Sequence, residues 1–302
     1  MAINKYCYIS LRRLPPFFEH RHRLIYTKIE NVQDISEFQH PAVRNVLQDF
    51  GIDYGTEIHH DADLPARSGL GSSSSFTVGL LNALHAQAGR MVSKEFLARE
   101  AIRIEQDVIK ENVGSQDQVW AAYGGMNRIE FLKDGSFSVR PLILRPGVRG
   151  ELVGRLMLFF TGFSRFAHEV AGKQIANLDR RTGEVRRMVA MVDEAQAILT
   201  AERPKLDDIG RLLHEGWTLK RSLSDGVTTD AIDAIYEAGL SAGAVGGKLL
   251  GAGGGGFILF YVDPARQQAV RERLSDLVEV QFDVDQDGSR IVVYEPDGLG
   301  AR

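Results

Sequence analysis

The sequence predicts an α+β protein built in two parts. Short alternating runs such as Tyr6 to Leu11 read as strands, and longer amphipathic runs such as His40 to Phe50 read as helices. Pro141, Pro146, Gly147 and Gly150 read together as a boundary near residue 150. A length of 302 residues accommodates two ordinary domains, here taken as 1–150 and 151–302. With 44% hydrophobic and 25% charged residues, the default is a soluble globular protein of enzyme size.

Charge and cysteine content narrow the function classes. The net charge of −4 provides no general basic field for nucleic acid or an anionic membrane. Cys7 is the sole cysteine, so the chain has no internal disulfide and no thiolate cage, which fits a cytoplasmic location. No apolar run reaches the length of a membrane span, and MAINKYCYISLRR lacks the layout of a signal peptide.

The elements follow in order. Tyr6 to Leu11 is a first strand and Arg23 to Val32 a second, joined by a loop holding Pro15 and Pro16. His40 to Phe50 is a short helix with Pro41 at its opening and Gly51 as its stop. Residues 54–62 form a strand that feeds PARSGLGSSSSFTVGLLNAL, Pro65 to Leu84. In this stretch Gly69 and Gly71 bend the backbone, Ser72 or Ser73 caps a helix, and Gly89 ends it. A helix start carries N–H groups and the positive end of the dipole, which favour a phosphate. Capping needs one serine; the four here, after a Gly-Leu-Gly bend, point to a polyphosphate with its metal. The bland alternative is a Ser/Gly-rich surface loop.

Residues 93–112 read as a long helix capped by Ser93. On it Glu105 has Ala101, Ile102, Val108 and Ile109 as neighbours one turn away, so its carboxylate faces the packed side. A buried unpaired carboxylate is costly, so Glu105 needs a cation or hydrogen-bond donors; Mg²⁺ would serve, and the alternative is a structural salt bridge to an arginine. Asp107 sits among Arg103, Lys110 and Glu111 and is solvated. Asp117, at the start of the next short helix, is either an ordinary first-turn acid or a carboxylate beside a substrate hydroxyl.

A hairpin over 126–144 precedes the boundary, and Arg155 to Thr161 is a buried-type strand. A polar break holding Arg165 and His168 follows it. Helices are expected to about residue 202 and over 205–224 and 229–241. Gly251, Gly253 and Gly256 satisfy GxGxxG, yet the apolar β-type run Phe257 to Val262 follows them where a dinucleotide fold needs a helix. The six glycines from Gly247 to Gly256 therefore indicate close approach of backbone to a ligand or to the serine loop. A helix over 264–277 and strands over 278–285 and 290–295 complete the chain.

Taken together, these segments resemble the GHMP kinases, the superfamily of galactose, homoserine, mevalonate and phosphomevalonate kinases. Pro65 to Ser73 matches that superfamily's phosphate-binding motif P-x-x-x-G-L-G-S-S, and the late glycine run matches its third motif. INKYCYISL, QDQ with AAYGGMN, FFTGFSR, LLHEGWTLKRSLSD and GGKLLGAGGGGF look like the bacterial D-glycero-D-manno-heptose 7-phosphate kinase group. The resemblance implies an N-terminal domain like ribosomal protein S5 domain 2 and a ferredoxin-like C-terminal domain. It implies transfer of a phosphoryl group from ATP, with Mg²⁺, to the anomeric hydroxyl of a small phosphorylated sugar. Carried over by position, Gly69, Leu70, Gly71, Ser72, Ser73 and Ser74 would wrap the ATP phosphates, and Ser73 with Glu105 would hold Mg²⁺. Asp117 would orient or deprotonate the attacking hydroxyl, Arg165 would grip the sugar's phosphate, and Gly253, Gly254 and Gly255, running on to Gly256, would wall the substrate. The superfamily's upstream first motif has no counterpart before Met1, so the expectation is a chain lacking its first strand. Poor sugar turnover and an open sheet edge that favours a homodimer would follow. A galactose- or fucose-type kinase and a non-catalytic nucleotide- or sugar-binding homologue are the competing readings.

Overall fold

Two units make up the chain in the computed structural model, which describes residues 1–66, 68–162, 172, 175 and 177–295. The first comprises Met1–Ala66, Gly71–Met126 and Val284–Arg302; the second comprises Arg67–Leu70 and Asn127–Asp283. The Pro/Gly cluster at 141–150 lies inside the second unit, where it leads into a short helix, α5 (Val148–Val153).

In the first unit a four-stranded sheet runs in the order β1-β4-β2-β3. Its strands are β1 (Cys7–Arg13), β2 (His22–Ile25), β3 (Ile29–Val32) and β4 (Thr56–Ala62). β1 pairs antiparallel with β4, and β2 runs parallel to β4. The run Arg23 to Val32, which reads as one strand, is in fact the hairpin β2–β3, turning over Tyr26 to Lys28. The alternation hides the turn because the loop has an odd number of residues. His22 lies opposite Val32 and Leu24 opposite Glu30, so even-numbered residues are buried on both sides of it.

Helices cover one face of this sheet. α1 (Pro41–Phe50) buries Ala42, Val43, Val46 and Leu47, a single stripe at helical spacing. Each of the three larger side chains contributes about 1.5–3 kcal/mol by leaving water. Gly51, at φ +69°, ends the helix in the left-handed conformation that glycine adopts without strain. α2 (Ser72–Gln87) buries Val78, Leu80, Leu81 and Leu84. α3 (Lys94–Arg103) is capped by Ser93, whose Oγ accepts the Phe96 N–H at 3.1 Å. The helix expected to continue to residue 112 instead widens into a π turn over Ile104–Val108, closed by Ile109 N–H to the Ile104 carbonyl at 2.8 Å. α4 (Gln116–Tyr123) follows.

The second unit is built on an antiparallel sheet in the order β10-β7-β9-β8. It contains β7 (Leu156–Phe160), β8 (Ala244–Leu249), β9 (Phe257–Val262) and β10 (Val278–Val280). Beside it lie the hairpin β5 (Asn127–Phe131) with β6 (Phe137–Pro141) and the helices α6 (Thr182–Thr200), α7 (Asp207–Arg221), α8 (Asp230–Ser241) and α9 (Gln267–Arg273). Met157, Phe159, Ile258, Phe260 and Leu249 pack with Trp217, Ile232 and Tyr236 in one core. β10 is shorter than the expected strand over 278–285. The expected strand over 290–295 is not formed. Val292 and Val293 are three-quarters exposed with no ladder partner among the described residues, and β propensity without a neighbouring strand does not make a strand. No helix among the described residues is long and apolar enough to cross a membrane.

Candidate active site

Gly71, not a serine, occupies the N-cap of α2, at φ +70° and with no side chain capping the helix. The first intrahelical bond of the turn runs from Ser75 N–H to the Gly71 carbonyl at 2.9 Å. The amides ahead of it project past the helix end, where the dipole is positive. The expectation that Ser72 or Ser73 caps the helix is thus corrected. With glycine at the cap, the serine hydroxyls are left for other work.

One of those hydroxyls meets Glu105. Ser74 Oγ donates to Glu105 Oε2 at 2.9 Å, and Gln118 Nε2 donates to the same oxygen. Glu105 is 1% exposed, and its other oxygen, Oε1, has no hydrogen-bond partner. Burial pushes the carboxyl above the ordinary range, against the pull of the hydrogen bonds from Ser74 and Gln118. Among the described residues no arginine accompanies it. An orphaned carboxylate oxygen beside serine hydroxyls fits a hard cation, which favours oxygen ligands and takes one or two carboxylates along with phosphate oxygens. Ser73, paired with Glu105 by the sequence motif, is exposed at the helix start; the hydroxyl bonded to Glu105 is that of Ser74. Asp107 is exposed, as its neighbours indicated.

Asp117 comes to the same helix end. A Cβ built on Gly71 would lie 3.1 Å from Asp117 Cβ and 3.3 Å from its Oδ2. Any side chain at 71 would therefore press on that carboxylate. The start of α2, the π turn and the first turn of α4 thus bring together Gly71, Ser74, Glu105, Asp117 and Gln118. Sequence reasoning found Gly71, Ser74, Glu105 and Asp117. It missed Gln118, whose hydrogen bond to Glu105 depends on the π turn and on no spacing rule.

The second unit holds Gly69 and Leu70 together with the late glycine run. A Cβ on Gly251 would lie 2.4 Å from Gly69 Cα, and one on Gly256 would lie 2.1 Å from the Ser68 carbonyl oxygen. The glycines thus allow two backbones to touch, which is the close approach their density indicated. Gly253, Gly254 and Gly255 are buried; Gly254 N–H donates to the Val227 carbonyl at 2.9 Å and Gly253 packs on the same residue. Lys220 Nζ donates to the Gly251 carbonyl. Arg165 and His168 lie outside the described residues.

Replacing Gly251 by alanine is expected to destabilise the protein by about 2–5 kcal/mol, combining left-handed strain with overpacking against backbone. Differential scanning fluorimetry checks this. An unchanged melting temperature would show that the two backbones separate without cost.

The family description "GHMP kinases N terminal domain" matches residues 37–125, and "GHMP kinases C terminal" matches residues 195–280. A D-glycero-alpha-D-manno-heptose 7-phosphate kinase of Campylobacter jejuni is 32% identical over 212 residues, covering 70% of this chain and 62% of that protein. This chain therefore spans less than two thirds of that relative's length. A bifunctional fucokinase/GDP-fucose pyrophosphorylase of Arabidopsis thaliana is 30% identical over 80% of this chain and 23% of its own. Among solved structures, a D-glycero-D-manno-heptose 1-phosphate kinase from Bacteriodes thetaiotaomicron superposes with a TM-score of 0.72 at 24% identity, covering 95% of this chain and 86% of that one. A mevalonate kinase superposes with a TM-score of 0.70 at 20% identity, covering 94% and 91%. Both structures share the two-domain α+β fold. With both halves of the family signature in order along the sequence, the chain belongs to the GHMP kinases.

Proposed function

We propose that the chain is an ATP-dependent sugar kinase that phosphorylates the anomeric hydroxyl of D-glycero-D-manno-heptose 7-phosphate. The observation that carries the transfer chemistry is the meeting of an uncapped helix start, a buried carboxylate with an orphaned oxygen, and a second carboxylate. The sugar rests on the likeness to the Campylobacter jejuni heptose 7-phosphate kinase.

Each group has a task. The amides opening α2 and the hydroxyls of Ser72 and Ser73 bind the phosphates of the nucleotide. Glu105 Oε1 and the Ser73 hydroxyl would hold Mg²⁺. The metal, when bound, neutralises charge on the phosphate oxygens. Gln118 and Ser74 fix Glu105 Oε2, so that Oε1 keeps one direction. Asp117 accepts the proton of the acceptor hydroxyl as its oxygen bonds to the γ-phosphorus, while the bond from that phosphorus to the β-phosphate oxygen breaks and ADP leaves. Gly253 to Gly255 shape the wall of the acceptor site, and Arg165 holds the sugar's own phosphate.

A coupled assay of ADP release over a panel of acceptors tests the reading. With Mg·ATP, the heptose 7-phosphate is expected to give the highest kcat/KM, above L-fucose, galactose and mevalonate. A higher value for L-fucose would move the substrate to the fucokinase type, as the Arabidopsis thaliana relative allows. Binding of Mg·ATP with no acceptor raising ADP release would leave a nucleotide-binding homologue.

A further inference from the structure

The sheet of the first unit ends in β1, and the order β1-β4-β2-β3 gives that strand one neighbour. Free sheet edges are ordinarily blunted by brevity, proline or a bulge. The other edges of the two four-stranded sheets follow that rule. β3 has 4 residues, β10 has 3, and β8 carries a register shift between Ala244 and Gly246. β1 has 7 residues, CYISLRR, holds no proline and pairs with β4 without a shift.

The ladder decides which backbone groups of β1 face outward. Asp63 N–H donates to the Tyr6 carbonyl at 3.0 Å, and Leu14 N–H donates to the Gly55 carbonyl at 2.8 Å. These two pairs bracket the strand and fix its alternation. Even-numbered residues of β1 therefore bond to β4, and Cys7, Ile9, Leu11 and Arg13 turn their N–H and C=O groups to the open side. Among the described residues none of those groups has a partner.

Charge along the edge shows what fits it. At one end Arg12, Arg13 and Arg23 stand around the single acid Glu57. At the other, Tyr8 lies opposite Asp61 and its hydroxyl donates to Asp63 Oδ2 at 3.4 Å. The edge is thus basic at one end and acidic at the other. A second copy laid antiparallel sets each basic end on the acidic end of its mate, whereas a parallel copy sets like charge on like.

We propose that β1 pairs antiparallel with β1 of a second copy of this chain, about a two-fold axis at Ser10. That register uses all four outward residues: Ile9 bonds with Leu11 of the second copy, and Cys7 with Arg13. On the exposed face Tyr8 meets the guanidinium of Arg12, a favourable cation–ring pair, and Ser10 meets Ser10. A shift by two residues in either direction leaves Cys7 or Arg13 unpaired. The contact is the same on both copies, so it closes at a dimer and joins the two sheets into one.

Sedimentation velocity of the full chain over a concentration series is expected to show a dimer that dissociates on dilution. Disulfide trapping then reads the register. In a Cys7→Ser background, Ser10→Cys places two thiols on facing residues of a non-hydrogen-bonded pair, with Cα atoms about 4.5 Å apart and within disulfide reach. Tyr8→Cys places them about 14 Å apart, four residues along the strands. Mild oxidation is expected to link the Ser10→Cys chains and leave the Tyr8→Cys chains single. Ile9→Pro removes an outward N–H that β4 does not use, so the ladder within the chain is kept. With two hydrogen bonds lost across the axis, the dimer Kd is expected to rise about ten- to a hundredfold at unchanged far-UV circular dichroism.

A monomer at every concentration, linkage through Tyr8→Cys in place of Ser10→Cys, or an Ile9→Pro chain that folds and dimerises as before would overturn the proposal. If Ile9→Pro fails to fold, the two cysteine variants decide. A monomer whose Ile9 and Leu11 amides resist hydrogen exchange would place another segment of the same chain on this edge, and would overturn it likewise.

Discussion

Asp117→Asn is expected to lower kcat by about 10²–10⁴-fold, the usual contribution of a positioned base, while the Kd for Mg·ATP stays within about threefold. The side chain keeps its shape and its place against Gly71, 3.1 Å from a built Cβ, so the packing at the helix start is retained. What is lost is the capacity to take a proton from the acceptor oxygen. Because phosphoryl transfer is mostly positioning and charge neutralisation, binding of the nucleotide should be largely indifferent to this change. Parallel titration calorimetry and ADP-release kinetics separate the two effects. Turnover equal to that of the unmodified protein would remove Asp117 from the mechanism and leave it an ordinary first-turn acid of α4.

Glu105→Gln is expected to split stability from function. Burial raises the Glu105 carboxyl above its ordinary 4.5, so in the folded protein without a cation the ionised form is disfavoured. The sign follows from proton counting. The folded state holds its proton to higher pH than the unfolded state does, so stability falls as pH rises from the unfolded value through the raised folded one. Above the raised folded value the full penalty is present. Glutamine carries no charge, so at pH 7 in a chelator the variant is expected to melt higher, by about 1–3 kcal/mol, the desolvation penalty of an unmatched buried group. At a pH below both carboxyl values the advantage disappears. With Mg·ATP the order reverses: the unmodified protein gains stability by mass action and the variant gains little. A variant that melts lower in the chelator, yet is stabilised by Mg·ATP as much as the unmodified protein, would show Glu105 to be a structural acid.

Much of this was legible in the residues, for identifiable reasons. Glu105 could be assigned to the packed side because Ala101, Ile102, Val108 and Ile109 surround it at helical spacing, and it is 1% exposed. The late glycine run could be separated from a dinucleotide loop because β9 follows it. What escaped was set by tertiary context. The π turn at Ile104–Val108 leaves no mark in hydrophobic periodicity, and with it went the role of Gln118. The cap of α2 was read from serine preference, but Gly71 takes the position in a left-handed conformation closed to most residues. The hairpin β2–β3 was invisible because its odd loop preserves the alternation. Ile291 to Tyr294 has the composition of a strand and no partner to make it one among the described residues.

The central claim concerns the amides that open α2, and amide NMR tests it most directly. On addition of Mg²⁺ with a non-hydrolysable ATP analogue, the N–H resonances of Ser72, Ser73 and Ser74 should shift strongly, whereas adenosine alone should leave them nearly unmoved. If the analogue binds and perturbs other regions while those three resonances stay in place, the nucleotide's phosphates lie elsewhere and the account fails.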